Sequence, residues 1–148
     1  MKLISNKKKE NYTVIIGSGR LGSGLANALS DDGANVMIID SDKNSFRKLS
    51  PSFGGLTLLG DATDIDVLHE AQAEKATAIV AVTDNDNTNI MIAQMVKELF
   101  KKERVIIRLY DPELECVYGE HGIDTICPAV LSAKEINRLL ISGNKEKK

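Results

Sequence analysis

Two cysteines, two histidines, no long apolar run and no excess of positive charge mark this chain of 148 residues, and each shortage closes off a class of function. The cysteines, Cys116 and Cys127, stand about a helix length apart without metal-ligand spacing. That pattern suits a reduced, cytosolic setting and buried structural thiols better than a disulfide scaffold. No segment approaches the ~20 apolar residues needed to span a bilayer. The opening "MKLISNKKKE" lacks the apolar core of a secretory signal, so no export signal is expected, and any membrane role is expected to run through a partner. Nineteen Lys and Arg face 21 Asp and Glu, a net charge of -2, without the basic surface that a nucleic-acid partner would favour. The lysine-rich ends, "NKKKE" and "NKEKK", read as flexible tails over residues 1–11 and 143–148; the sharper alternative is weak attraction to an anionic membrane surface.

Catalytic equipment is equally scarce. A short-chain dehydrogenase needs Tyr-x-x-x-Lys, but Tyr12, Tyr110 and Tyr118 are followed four positions on by Ile16, Leu114 and Gly122. His69 lies in a short helical stretch and His121 at a helix end, where a cation is favourable without any chemistry. A P-loop lysine is missing after Gly22, which argues against a Walker-type NTPase but not against ATP or ADP binding. The acidic run from Asp84 is no calcium loop, because Asn89 and Met95 stand where an EF-hand needs Gly and Glu.

What is present is a regular alternation. Apolar runs at Thr13–Gly17, Asn35–Asp40, Leu56–Gly60, Ala76–Thr83, Arg104–Tyr110 and Ile123–Cys127 read as six strands. They are continuously apolar, as parallel strands covered on both faces should be. Helical patterns fill the gaps: Leu21–Ser30, Asp64–Ala71, Asn87–Lys101, a stretch that starts at Asp111-Pro112 and stops at Gly122, and a one-faced helix over Ala129–Ile141. The expected fold is α/β: a single Rossmann-type domain over residues 12–142, a doubly wound sheet of about six parallel strands with helices on both faces.

The first strand runs into Gly17-Ser18-Gly19-Arg20-Leu21-Gly22, a G-x-G-x-x-G. Its glycines suit a tight turn, a close approach to pyrophosphate and close helix packing, with the phosphates on the helix start. A lone motif of this kind is weak, but here a strand precedes it, a helix follows it, and Asp40 closes the next strand about 20 residues on, where a carboxylate binds ribose hydroxyls. The bland alternative is a glycine turn and a capping Asp. Asp40, helped by Asp42, would repel a 2′-phosphate, which favours NAD-type or adenosine ligands, while Lys43 and Arg47 leave an opening for NADP. Arg20 opposes the helix dipole and makes better sense against phosphate than pointing to water.

Ligands of doubly wound sheets sit beyond the carboxyl ends of the strands. There, Gly60 opens space, and Asp61 and Ala62 are candidates to border an adenine ring. Asp64 reads as a helix cap. Thr83 is a candidate donor to phosphate or to a second nucleoside. Arg108 needs a partner, either a ligand phosphate or an acid such as Asp84. A small NAD-dependent oxidoreductase stays open as an alternative, as does a nucleotide sensor for some other partner. The usual second domain for a substrate is not in the sequence.

In their order, "IIGSGRLGSGLANAL", "VMIID", "GDATD", "VAVTDNDNTNIMIAQM", "IIRLYDPE" and "GIDTICPAV" resemble the nucleotide-binding domain of TrkA-like potassium-uptake regulators, the RCK or KTN domain, over residues about 12–130. The resemblance implies a non-enzymatic, cytoplasmic regulatory subunit that binds NAD(H), or ATP, ADP or AMP. It implies a homodimer or larger ring, peripheral to the inner face of the membrane through an integral potassium transporter or channel subunit. Carried over by motif, Gly17, Ser18, Gly19, Arg20 and Leu21 would hold the pyrophosphate and Asp40 the adenosine ribose. Asp61 and Ala62 would flank the adenine, and Thr83, Asp84 and Arg108 would line the far half. The long helix from Asn87 is apolar all round, which fits deep packing on the sheet and, by the resemblance, a dimer contact. Many members continue into a C-terminal ligand-binding domain; the sequence given stops at Lys148, leaving such a domain to a separate chain or absent from a reduced regulator.

Overall fold

The computed structural model describes residues 11–119 and 121–146. Six strands form one sheet: β1 (Tyr12–Ile16), β2 (Asn35–Asp40), β3 (Leu56–Leu59), β4 (Ala78–Ala81), β5 (Val105–Arg108) and β6 (Asp124–Ile126). All pairings are parallel, in the order β3-β2-β1-β4-β5-β6. The expected α/β doubly wound sheet is therefore observed, and its order reverses between β1 and β4, where a crevice must open.

The helices are α1 (Arg20–Asp31), α2 (Ile65–Glu70), α3 (Asp86–Phe100), α4 (Pro112–Gly119) and α5 (Pro128–Glu146), with short 3-10 turns at Lys43–Lys48 and Ala73–Lys75. Local chemistry sets their limits. Gly33 stops α1 in the left-handed region at φ +80°; its N–H reaches Ser30 O and that of Ala34 reaches Leu29 O, the paired bonds of a Schellman ending. Asp64 caps α2 by accepting from Asp66 N, Asn85 caps α3 by accepting from Thr88 N, and Asp111 accepts from Glu113 N at the start of α4. Helix α4 ends at Gly119 rather than at Gly122, which follows in a positive-φ turn.

Both faces of the central strands are covered. Val14, Ile16, Ile39, Ile79 and Ile107 pack toward α2 and α3, in a cluster with Leu68, Ile92 and Val96. Ile15, Ile38, Val36 and Val80 pack on the opposite side with Ala26 and Leu25 of α1. Each fully buried aliphatic side chain contributes roughly 1.5–3 kcal/mol. The covering is incomplete at the edge: Leu56 and Leu59 of β3 are 64% and 55% exposed, so the expectation of strands covered on both faces fails at this edge strand, where only Leu58 packs against the core.

Helix α3 buries Asn89, Ile90, Ile92, Ala93 and Val96 but leaves Met91 and Leu99 about half exposed. Helix α5 runs five residues past its expected end. It exposes Leu131, Ile136, Leu139, Leu140 and Ile141 by half or more, so no other element among the described residues covers these apolar side chains. No helix among the described residues is long and apolar enough to cross a membrane. Residues 1–10 and 147–148, which carry most of the expected tails, and the side chain of Cys116 lie outside the described residues.

Candidate functional site

At the carboxyl ends of β1 to β5 lies a cleft of about 650 Å³, within the range of small-ligand sites. Of the expected residues, Gly17, Gly19, Asp40, Asp61, Ala62, Thr83, Asp84 and Arg108 line it together. Ser18, Arg20 and Leu21 do not. A larger groove of about 1920 Å³ opens at the other end of the sheet, near Tyr12, Ala34 and Lys102. It sits at the amino ends of the strands, away from the glycine turn and the strand-end acids, and size alone does not make it the chemical site.

The glycine turn is fixed by the protein at two of its three glycines. Gly17 has φ +105°, and a Cβ there would stand 2.9 Å from Thr83 N and Val82 O. At Gly22 a Cβ would fall 1.7 Å from Gly17 O, so only glycine lets α1 descend onto the turn. Gly19 is different. It precedes α1 with an ordinary φ of −79°, and a Cβ there would meet nothing within 4 Å. The protein itself does not require a glycine at that position. The space lies where the unpaired N–H groups of the first turn of α1 emerge, a natural anion seat.

Ser18 is fully buried. Its N–H donates to Asp40 Oδ2 at 2.7 Å, and its hydroxyl lies 2.9 Å from Ser23 Oγ and 3.1 Å from Ser45 O. Its polar groups are thus spent on anchoring the turn to α1 and to the 3-10 turn. Asp40 joins the two halves of this anchor, since its Oδ1 accepts from Asp42 N at 2.8 Å. A carboxylate oxygen accepts more than one hydrogen bond, so Asp40 keeps capacity for ribose hydroxyls. Arg20 and Leu21 open α1 with exposed side chains, and no acidic residue accompanies them in the first turn.

On the β3 side, Asp61 Oδ1 accepts from Thr63 N at 2.9 Å and from Thr63 Oγ1 at 2.7 Å. The Thr63 hydroxyl, and then its N–H, hold the Asp61 carboxyl below the usual carboxylate range. Ala62 is buried beside it. Gly60 makes room for the protein: a Cβ there would meet Val67 at 3.0 Å.

On the β4–β5 side the organiser is Asn89 of α3, fully buried and overlooked in the sequence. Its Oδ1 accepts from Thr83 N at 3.0 Å and from Thr83 Oγ1 at 2.6 Å. Its Nδ2 donates to Thr83 O at 3.1 Å and to Arg108 O at 2.9 Å. The signal available was slight, a polar residue four positions after the capping Asn85. Lys48, Asn85 and Thr88 also line the cleft unanticipated.

Arg108 is not paired with Asp84. Its Nη2 donates to Val82 O at 2.8 Å and Thr83 O at 2.7 Å, and the guanidinium lies over the Tyr110 ring at 5.0 Å. Two backbone carbonyls satisfy part of the cation where an acid was the alternative, and Nε is left buried without a partner. Asp86, rather than Asp84, bridges onward by accepting from Tyr110 N and Asp111 N. Neither His69 nor Cys127 lines the cleft: His69 sits edge-on to Phe100, and Cys127 is buried near Tyr110 O.

Residues 13–128 match the family model of the TrkA-N domain. The chain is 44% identical over 133 residues to a Trk system potassium uptake protein TrkA from Streptomyces coelicolor, an alignment covering 89% of this chain and 60% of that protein. It is 30% identical over 138 residues to potassium channel protein 1 of Methanocaldococcus jannaschii, covering 92% of this chain and 41% of the other. The chain thus spans less than two thirds of these relatives, 60% of the one and 41% of the other. Among solved structures, the GsuK channel bound to NAD superposes with a TM-score of 0.76 at 26% identity, over 90% of this chain and 24% of that one.

Proposed function

The chain belongs to the TrkA-N domain family, and from that premise we propose that it is the nucleotide-binding regulatory part of a potassium uptake system or channel. Its ligand is NAD(H) or an adenine nucleotide, ATP, ADP or AMP. The observation that carries this reading is the open space over Gly19 at the start of α1, with Asp40 in the same cleft. A diphosphate on the free N–H groups of Gly19, Arg20 and Leu21, and a ribose on Asp40, use both features at once. Gly17 and Ser18 shape that seat, Arg20 adds charge near the phosphates, Asp61 and Ala62 flank the base, and Thr83, Asp84 and Arg108 meet the far half of the ligand.

The role is regulatory and not enzymatic. The chain acts at the inner face of the membrane through an integral potassium transporter or channel subunit, and it pairs with further copies as a dimer or ring. The half-exposed Met91 and Leu99 of α3 and the bare apolar face of α5 support such contacts. Nucleotide binding biases the arrangement of paired domains by its difference in affinity between two states. Potassium uptake and efflux, measured in cells with and without this chain, test the proposal; unchanged transport refutes it.

A further inference from the structure

We infer that Ser18 and Ser23, buried beneath the glycine turn, are positioning residues for the nucleotide: they hold the cleft end of the 3-10 turn at Lys43–Lys48 and touch no ligand themselves. The inference rests on the nucleotide reading and adds which side chains set the wall beside Asp40. It starts from burial. Among the described residues three polar side chains are buried, Ser18, Ser23 and Asn89, and a buried hydroxyl is costly unless it is hydrogen-bonded.

The two serine hydroxyls make three contacts. They stand 2.9 Å from each other, Ser18 Oγ stands 3.1 Å from Ser45 O, and Ser23 Oγ stands 3.1 Å from Ser18 O. Each hydroxyl has one proton, and a carbonyl oxygen only accepts. Ser18 is therefore the donor to Ser45 O, and Ser23 donates to Ser18, at its hydroxyl or its carbonyl. The result is a relay that begins in α1 and ends on the 3-10 turn.

The segment that follows β2 is tied down elsewhere too. Phe46 and Leu49 pack against the same core cluster as Leu25 and Leu29 of α1, and Ser50 N donates to Asn27 Oδ1 at 2.9 Å. None of Phe46, Leu49 and Ser50 lines the cleft, whereas Ser45 does, beside Asp42 and Lys48. The serine relay is thus the attachment at the cleft end, and the apolar contacts and Asn27 are attachments away from it. Asp40 lies between the parts that the relay joins, since its carboxylate accepts from Ser18 N on one side and Asp42 N on the other. Without the Ser18 hydroxyl, Ser45 is released and the wall beside Asp40 loosens, while the fold stays tied at the other points.

The experiment is calorimetric titration with ADP, beside thermal unfolding, on the full chain and on Ser18→Ala, Ser23→Ala and Asn27→Ala. Ser18→Ala is expected to bind ADP about fivefold or more weakly, with Tm lowered by only a few degrees. Ser23→Ala keeps the donor to Ser45 O and should lose less affinity. Asn27→Ala loosens the same segment away from the cleft, so it should lower Tm comparably and leave ADP affinity within about twofold of the wild type. A merely structural role would not separate the two positions in this way. Amide hydrogen exchange should quicken around Ser45 in Ser18→Ala and around Ser50 in Asn27→Ala. Unchanged ADP affinity in Ser18→Ala, or an equal loss in Asn27→Ala, overturns the inference while the nucleotide site stands. If Ser18→Ala does not fold, Ser23→Ala measured against Asn27→Ala decides by the same contrast. Failure of the wild-type chain to bind ADP overturns the nucleotide reading and the inference with it.

Discussion

Replacing Gly19 and Gly22 by alanine, one at a time, separates what the ligand demands of the glycine turn from what the protein demands. At Gly19 the new methyl group meets no atom within 4 Å and φ is −79°. Alanine is a slightly poorer N-cap than glycine but restricts the unfolded chain, two effects of a few tenths to about 1 kcal/mol with opposite sign. Stability should therefore change by less than about 1 kcal/mol, a few degrees of Tm for a domain of this size. Nucleotide binding should not survive as well. The methyl group stands where the diphosphate would approach, and displacing it from two N–H donors forfeits about 3 kcal/mol or more, since hydrogen bonds to charged groups contribute ~1.5–3 kcal/mol each. That corresponds to at least about a hundredfold weaker Kd. Gly22→Ala gives the opposite pattern. Its methyl group would fall 1.7 Å from the Gly17 carbonyl oxygen, a backbone atom that no rotamer can move. The cost should exceed the ~1–3 kcal/mol of ordinary overpacking, lowering Tm by about 10 °C or more. Thermal unfolding and calorimetric titration with ADP on both variants decide. A folded Gly19→Ala chain that binds ADP as the wild type does refutes the placement of phosphate over α1.

Three further outcomes are expected. Gly33→Ala keeps open space around the new methyl group but forces alanine to φ +80°, so chemical denaturation should show a loss of about 1–2 kcal/mol. Tyr12 donates to Ala71 O, and its hydroxyl pKa is raised from 10.0 by burial first and by Glu74 second; its contribution is complete below pH ~10 and is lost as pH rises through the higher folded value, so Tyr12→Phe should flatten the alkaline fall in Tm at the loss of about 1 kcal/mol at neutral pH. The Asp61 carboxyl is lowered by Thr63, so its contribution is complete above the ordinary carboxylate value and is lost as pH falls through the lower one. Thr63→Val should move the Asp61 titration, followed by NMR, up toward 3.8.

Most of the fold was legible because parallel strands buried on both faces leave continuous apolar runs, and because Gly33, Asp64 and Asp111 punctuate the helices with side chains or φ values that few residues can replace. The 3-10 turn at Lys43–Lys48 left no such trace, having neither apolar periodicity nor a glycine. The apolar stripe of α5 was visible, but periodicity says that a helix has one apolar face and not what covers it. In the cleft, Gly17 was legible because its φ of +105° and the nearness of Thr83 N and Val82 O admit only glycine, whereas Gly19 and Asp40 were read from the spacing of the motif, not from any demand of the backbone. Ser18 faces inward to Ser23 and Ser45 O, a direction the G-x-G-x-x-G spacing does not encode. Asn89 resembled any polar helix residue, and only its burial against Thr83 and Arg108 O reveals its task. The partner of Arg108 was sought in a ligand phosphate or in an acid such as Asp84, while the structure supplies the carbonyls of Val82 and Thr83, which belong to every residue and so leave no mark in a sequence.

The proposed seat of the nucleotide is at the carboxyl ends of the strands, on the start of α1, and not in the larger groove at the amino ends. Backbone amide shifts of the labelled chain, followed during titration with ADP, test it most directly. Saturable shifts are expected at Gly19, Arg20, Leu21 and Asp42, with Tyr12, Thr77 and Lys102 unmoved. Shifts centred on Tyr12, Thr77 and Lys102, with the glycine turn silent, would contradict it.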